Sequence, residues 1–110
     1  MKNDKVLSMI GLAKKAGKIS NGAPNCEKAI KSKNSRLIIV ACDISDNGKK
    51  AITDCCKYYS VNYIEYSDKY TLADCIGSSG VCTAISVNDD GFAEAISKKY
   101  AELQNGRKGE

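Results

Sequence analysis

The side chains most suited to chemistry lie in residues 17–30, where a glycine-bearing turn opens into a helix-forming run. Gly22 has no side chain, so a bulky group can approach the backbone closely at that point. The first N–H groups of a helix lack intrahelical partners and carry partial positive charge, which makes a helix start an anion site. Lysines at positions 18, 28, 31 and 33 surround this turn. The combination predicts a polyanionic ligand.

The charge of the chain is divided unevenly between its two parts. Residues 1–36 contain nine Lys and Arg against two Asp and Glu, a balance of +7, whereas residues 37–110 carry −3, which gives the overall +4. Clustered lysines often serve only to solvate helix surfaces, but here they also surround a helix start. Solvation and anion binding therefore both remain open as interpretations.

The sequence contains few of the residue arrangements that enzymes use for catalysis. It contains no histidine, so neither a Ser-His-Asp nor a Cys-His arrangement can be built. Nothing matches a P-loop, and the Gly-Ser-Ser-Gly run at 77–80 lacks the spacing of a dinucleotide-binding fingerprint. The acidic pairs at 43 with 46 and at 89 with 90 are typical of turns and helix caps. We expect no catalytic residue, no metal site and no cofactor.

Six cysteines form no C-x-x-C pair, and all six stand where small apolar residues usually occur. Four fall in helical patterns, and Cys42 and Cys82 fall in strand patterns. We therefore expect buried, reduced thiols rather than disulfides or a zinc site. Cys26 is the alternative, because a thiol in the first turns of a helix beside lysines can be reactive. Its position on the inward helix face favours a structural role.

The length of 110 residues fits one domain, which we place at residues 1–103, followed by a basic tail at 104–110 that is expected to fray. No apolar run approaches the ~20 residues that span a bilayer. The amino-terminal residues lack the apolar core of a signal peptide. These features predict a cytoplasmic protein that does not contact membranes.

Periodicity in the first part of the chain predicts helices and strands in alternation. Asn3 is expected to cap a helix over 4–16, and residues 18–20 are either a short edge strand or a turn. Asn21 is expected to cap a second helix with Gly22 and Pro24 in its first turn. The continuous apolar run at 37–42 predicts a central strand.

The second part continues the same alternation. Ser45 is expected to cap a helix that extends to about Tyr59, followed by a strand at 61–66. Ser67 is expected to cap a short helix that ends at Gly77. A strand at 81–87 and a last helix from 89–91 to about 103 complete the chain. The pattern predicts an α/β domain with helices on both faces of a sheet.

Four segments, in this order and spacing, resemble the bacterial YlxQ-type members of the kink-turn-binding archaeal and eukaryotic ribosomal protein superfamily. The segments are residues 10–18, 22–30, 37–43 and 72–77. The resemblance covers residues 5 to about 98. It implies a three-layer α-β-α sandwich with a four-stranded mixed sheet, in which residues 18–20 form the fourth strand. It also implies RNA binding without catalysis.

The resemblance further assigns roles to individual positions. In the superfamily, a Gly-x-Asn-Glu-x-x-Lys helix start enters the widened groove of a kinked RNA. Gly22 and Lys28 match this motif, whereas Pro24 stands in place of its Asn and Asn25 in place of its Glu. A later loop of the superfamily holds apolar residues against an extruded base, and here that loop contains Ser78, Ser79 and Val81.

The expected RNA-binding site therefore centres on Lys18, Gly22, Asn25 and Lys28. The loop residues Ser78, Ser79 and Val81 belong to it, and electrostatic support comes from Lys14, Lys15, Lys31, Lys33 and Arg36. The expected partner is structured RNA, either ribosomal RNA or another kink-turn-containing RNA, with the ribosome as one setting. We expect a monomer and no DNA binding. Two alternatives stay open: a protein-interaction module of the same fold, and a thiol enzyme or redox sensor that uses Cys26.

Overall fold

The computed structural model describes residues 4–108, which contain five helices and four strands. Their order is α1 Lys5–Lys15, β1 Ile19–Asn21, α2 Ala23–Lys31, β2 Leu37–Val40, α3 Asp46–Tyr59, β3 Tyr63–Glu65, α4 Lys69–Cys75, β4 Ala84–Val87 and α5 Asp90–Lys108.

The four strands form one mixed sheet in the order β1-β4-β2-β3. β4 is antiparallel to both of its neighbours, and β2 is parallel to β3. The carboxyl ends of β1, β2 and β3 therefore lie at the same edge as the start of β4. We call this the upper edge of the sheet, and we call the opposite one the lower edge. The predicted four-stranded mixed sheet is confirmed, including a short edge strand at Ile19–Asn21.

The helices cover the two faces of the sheet as two layers with separate apolar cores. The first layer consists of α1, α4 and α5, and its core contains aliphatic side chains such as Ile10, Leu72 and Ile96. The second layer consists of α2 and α3, and its core contains Cys26, Ile30, Ile52 and Cys56. This arrangement is the predicted three-layer α-β-α sandwich.

Three of the predicted helix caps need correction or fall outside the described residues. The Asn3 cap is outside them, and the Asp4 carboxylate accepts the Leu7 N–H at 2.9 Å instead. Asn21 does not cap α2, because it pairs with Ile85 in the sheet and leaves Gly22 as the N-cap. Ser67 does not cap α4, since its backbone is left-handed and Asp68 follows as the N-cap.

The Ser45 cap of α3 is confirmed by its side chain, which accepts the Gly48 N–H at 3.1 Å. Some strand boundaries are shorter than predicted. β4 begins at Ala84 rather than at residue 81, because the preceding residues return the chain from an exposed loop and the Cys82 N–H bonds to the Lys69 carbonyl at 2.9 Å. α5 continues to Lys108, so it does not end near residue 103. The fraying of the tail stays a prediction.

Candidate functional site

The start of α2 lies at the upper edge of the sheet and is built around a glycine. Gly22 has φ +91° and ψ 143°, a conformation that side-chain-bearing residues rarely adopt. Its N–H donates to the Ala84 carbonyl at 2.9 Å, which fixes the turn to the central strand β4. A Cβ at Gly22 would meet nothing within 4 Å. The space beside this backbone is therefore open to a ligand.

No side chain caps α2, so the first-turn amides keep their capacity to bind an anion. Pro24 contributes no N–H to this turn. The Asn25 amide donates to the Asn21 carbonyl at 3.1 Å, which holds the exposed side chain beside the turn. The first turn of α2 contains no acidic residue, which leaves its positive potential unopposed.

A shallow depression of about 340 Å³ runs from this turn between α2 and the edge strand β1. Asn25 and Lys28 line it from the helix, as the sequence predicted for a common site. The structure adds polar residues that the sequence did not single out: Ser20, Ser32, Asn34 and Asn88. Strand pairing and the path of the loops bring these residues to the depression. Their polarity was therefore the only feature in the sequence that could have indicated them.

A hydrogen-bonded chain of side chains forms one wall of this depression. The Asn88 amide donates to the Ser20 hydroxyl at 3.0 Å, and the Ser86 hydroxyl donates to the Asn88 carbonyl oxygen at 2.6 Å. The buried Ser86 hydroxyl also lies 2.8 Å from that of Ser35. Buried polar groups that are fully paired fix their neighbours in one arrangement. The wall is therefore preorganised.

The loop after α4 meets the start of α2 at the same edge. Its residues lead into Ala84, the acceptor of the Gly22 N–H. The Cys82 thiol donates to the Ala84 carbonyl at 3.3 Å, the same carbonyl that accepts the Gly22 N–H, so Cys82 lies beside the glycine turn. Val81 is 51% exposed, next to Cys82, and Ser79 is also exposed, whereas Ser78 is partly covered. An apolar side chain is thus available beside the glycine turn.

The remaining basic residues do not converge on the start of α2 as expected. At about 1.5 Å per residue, Lys31 lies roughly 12 Å along the helix axis from the first turn. The carbonyl of Lys18 accepts the Asn88 N–H, which places Lys18 at the lower edge. Lys33 follows the end of α2 with φ +67°. Because the Debye length at physiological salt is about 8 Å, these charges act on the glycine turn only weakly.

Arg36 also lies at the lower edge and is engaged by other groups. Its guanidinium lies 3.1 Å from the Asp90 carboxylate and donates to the Lys33 carbonyl at 3.2 Å. Lys14 and Lys15 are exposed in the last turn of α1. The structure therefore joins Gly22, Asn25 and Lys28 in one place and puts the other predicted cations away from the glycine turn.

The thiols do not form a reactive or metal-binding group in the part of the chain that the structure describes. Burial is the main cause that raises the pKa of Cys26, and it raises those of Cys56 to about 12 and Cys75 to about 11. The Cys26 thiol therefore stays protonated at neutral pH, which removes support for the thiol-enzyme alternative. Cys42 is exposed in a turn, so the expectation that all six thiols are buried is wrong.

Within residues 4–108 no group of three or more His, Cys, Asp or Glu side chains is arranged to hold a metal ion. None of the helices in the same range has both the length and the apolar character required to cross a bilayer.

Comparisons with known proteins agree with this architecture. The sequence profile of the ribosomal protein L7Ae/L30e/S12e/Gadd45 family matches residues 4–97. The chain is 32% identical over 88 residues to RNA-binding protein YlxQ of Bacillus subtilis (strain 168), which covers 80% of this chain and 87% of the relative. It is 32% identical over 102 residues to RNA-binding protein YlxQ of Enterococcus faecium, which covers 93% of each.

Two solved structures show the same fold. A protein with unknown function from Bacillus halodurans C superposes with a TM-score of 0.84 at 27% identity, over 88% of this chain and 97% of the other. The Giardia lamblia 15.5kD RNA binding protein superposes with a TM-score of 0.74 at 18% identity, over 90% of this chain and 84% of the other. At that lower identity the likeness concerns the fold alone.

Proposed function

Because the chain belongs to the ribosomal protein L7Ae/L30e/S12e/Gadd45 family, we propose that it is a non-catalytic RNA-binding protein of ribosomal type. Its relatives named RNA-binding protein YlxQ align with it over most of their length. The observation that carries the proposal is the uncapped, glycine-started turn of α2, which is open to a ligand and free of acidic side chains.

The chemistry of this turn suits the backbone of RNA. A phosphate can approach Gly22 without meeting a side chain, and the first-turn amides supply donors for its oxygens. Lys28 adds a positive charge on the exposed surface of the same helix. Asn25 offers an amide that can accept from or donate to a base edge. Val81 provides an apolar contact for a base that has left its stack.

The finer proposal is a kinked, structured RNA, such as ribosomal RNA or another kink-turn-containing RNA. The support is the resemblance of Gly22 and Lys28 to the superfamily motif, together with the position of the loop at residues 78–81 beside them. Lys14, Lys15, Lys18, Lys31, Lys33 and Arg36 supply longer-range attraction. We place the protein in the cytoplasm as a monomer, with the ribosome as one setting.

The first experiment titrates a kink-turn RNA and an unkinked duplex of the same length at two salt concentrations. Each neutralised phosphate contributes about 0.7–0.9 to the slope of log affinity against log salt. With about three phosphate contacts, affinity for the kink-turn RNA is expected to fall roughly thirtyfold between about 50 and 200 mM salt. A flat salt dependence would contradict phosphate contact.

Lys28→Ala and Lys98→Ala form a matched pair for the same assay, since both remove an exposed lysine from a helix. Lys28→Ala is expected to weaken binding about fivefold and to reduce the salt slope by about 1. Lys98 lies on α5, in the other layer. Lys98→Ala is therefore expected to leave the affinity and the salt slope unchanged. Equal effects of the two variants would reject the α2 surface as the binding surface.

A protein-interaction module is the second candidate, because Pro24, Ser78 and Ser79 remove groups that the superfamily motif and loop supply. If the protein is such a module, neither the kink-turn RNA nor the unkinked duplex binds at low salt. Binding of the kink-turn RNA that exceeds binding of the duplex excludes it.

A further inference from the structure

Tyr58 in the last turn of α3 exposes an unusually large fraction of its ring. It is 81% exposed, while its neighbour Tyr59 packs against the core of the second layer. The two rings meet edge to face with centroids 4.9 Å apart and an interplanar angle of 73°. Tyr59 therefore anchors one side of Tyr58 and leaves the rest of the ring to solvent. An anchored, exposed ring is suited to contact another flat group.

α2 packs against α3, the helix that carries Tyr58. Cys55 is one helical turn before Tyr58, and residues three apart on a helix are neighbours. Burial raises the pKa of the Cys55 thiol, the Glu27 carboxylate adds to that rise, and the Lys31 ammonium opposes it. Both of these α2 side chains therefore act on Cys55 across the gap between the helices. Lys31 is exposed in the last turn of α2, so it brings a positive charge to the side of α3 that carries Cys55.

Positive charge exceeds negative charge around this ring. Lys57 is adjacent to Tyr58 in the chain and exposed, and Lys31 is exposed in the last turn of α2. Of the acidic residues nearby, Asp54 is paired with Lys50 at 3.1 Å, which leaves Glu27 as the opposing carboxylate among the described residues. An exposed aromatic ring with lysines around it is the arrangement that binds unpaired nucleotides, by stacking on the base and attracting the phosphate.

We propose that Tyr58, Lys31 and Lys57, which we call the tyrosine patch, bind an unpaired nucleotide that flanks the kinked RNA element. The proposal rests on the RNA-binding function proposed above and extends it to a second contact. α2 connects the two contacts, since it begins at Ala23, next to the glycine turn, and ends at Lys31, in the patch. The separation of roughly 12 Å along the helix matches about four stacked nucleotides at about 3.4 Å each.

The chain contains no tryptophan, so Tyr58→Trp creates a single fluorescent reporter at the patch. Two RNAs are titrated: a kink-turn with a single-stranded extension of several nucleotides, and the same kink-turn without it. We expect the extended RNA to quench the fluorescence and the trimmed RNA to leave it unchanged. Lys98→Trp on α5 is the control reporter, and its fluorescence is expected to stay constant with both RNAs.

Affinity measurements on three proteins complete the test. Tyr58→Ala is expected to bind the extended RNA about tenfold more weakly than the unchanged protein, because one base loses its stacking platform. Tyr58→Phe keeps the ring and is expected to bind as the unchanged protein does. For the trimmed RNA all three are expected to be equal. Circular dichroism and urea unfolding confirm that the variants are folded.

The outcomes separate the two proposals. If the trimmed RNA binds and Tyr58→Ala leaves the affinity for the extended RNA unchanged, the tyrosine patch is overturned and the proposed function stands. If Tyr58→Phe loses as much affinity as Tyr58→Ala, stacking is overturned in favour of a contact through the hydroxyl. If neither RNA binds at low salt, the proposed function fails, and the patch fails with it. An effect on both RNAs alike also overturns a contact with the flanking nucleotide.

Discussion

The helices of the two layers begin in different ways. In the first layer, the starts of α1, α4 and α5 are each closed by an aspartate: Asp4 accepts from Leu7 at 2.9 Å, Asp68 from Thr71 at 2.6 Å and Asp89 from Phe92 at 3.0 Å. In the second layer, α3 begins at the uncharged Ser45 and α2 at Gly22, which offers no side chain at all.

This difference in helix starts distinguishes residues that stabilise the fold from residues that are available to bind a ligand. An aspartate at a helix start satisfies an amide and stabilises the helix by about 1 kcal/mol, but its charge repels a phosphate. α2 forgoes that stabilisation and keeps its amides available. The layer that is closed by aspartates therefore holds the fold together, whereas α2, which has neither a side-chain cap nor an acidic residue in its first turn, presents the candidate site.

The largest effect is expected from the core of the first layer. Ile96 is fully buried on α5, and Ile96→Ala is expected to lower the free energy of unfolding by about 2–5 kcal/mol. Urea unfolding measures this change. The RNA affinity of the folded protein should stay as it was, because no predicted contact residue lies on α5. A loss of affinity under conditions in which the variant is fully folded would show that the two layers are not separable.

Gly22→Asp places an aspartate at the start of α2, as at the helix starts of the first layer. Gly22→Ala is its control, since both variants force a side-chain-bearing residue into a strained conformation that costs about 1–3 kcal/mol. We expect Gly22→Asp to bind kink-turn RNA about tenfold more weakly than Gly22→Ala, because the carboxylate meets the phosphate. A gel-shift titration measures the difference. Equal affinities for the two variants would mean that no phosphate approaches this turn.

The smallest effect concerns the pH dependence of the aspartate caps. Hydrogen bonds from the Thr71 N–H and hydroxyl hold the pKa of Asp68 below its ordinary value. A lowered folded-state pKa stabilises the fold above the ordinary value, and that contribution is lost as the pH falls through the folded-state pKa. Asp68→Asn keeps an acceptor but does not titrate.

The free energy of unfolding of both proteins is therefore followed from neutral pH to below the ordinary pKa of aspartate. The advantage of the unchanged protein over Asp68→Asn is expected to shrink in that acid range. Ser45→Ala supplies the comparison from the second layer, since the loss of an uncharged cap should cost the same amount at every pH. A constant difference for Asp68→Asn would show that the charge of the cap contributes nothing.

Much of the fold could be predicted from the sequence, because its signals are local. The apolar run at the centre of the chain predicts β2, and Ser45 before an amphipathic run predicts the start of α3. The errors arose where long-range pairing decides. Asn21 is a good N-cap residue, yet its pairing with Ile85 draws it into the sheet. Cys42 continues an apolar run, yet the chain turns there and exposes it.

The candidate site was predictable in part for the same reason. Gly22, Asn25 and Lys28 are close in sequence and share one helix, so their proximity follows from the helical repeat. The sequence could not show that Asn88 returns to Ser20 at the wall of the depression, because that contact depends on the pairing of β1 with β4. Nor could it show that Lys31 of α2 acts on Cys55, which lies one turn before Tyr58 on α3.

The hydrogen bond from the Gly22 N–H to the Ala84 carbonyl also determines when, during translation, the glycine turn can be anchored. Ala84 opens β4, which pairs with both β1 and β2, so the sheet joins an early segment of the chain to a late one. A nascent chain that has reached only α3 therefore has the lysines of α2 but no anchored turn to present them. The anchored turn of the candidate site is therefore complete only near the end of translation, when the last strand is released.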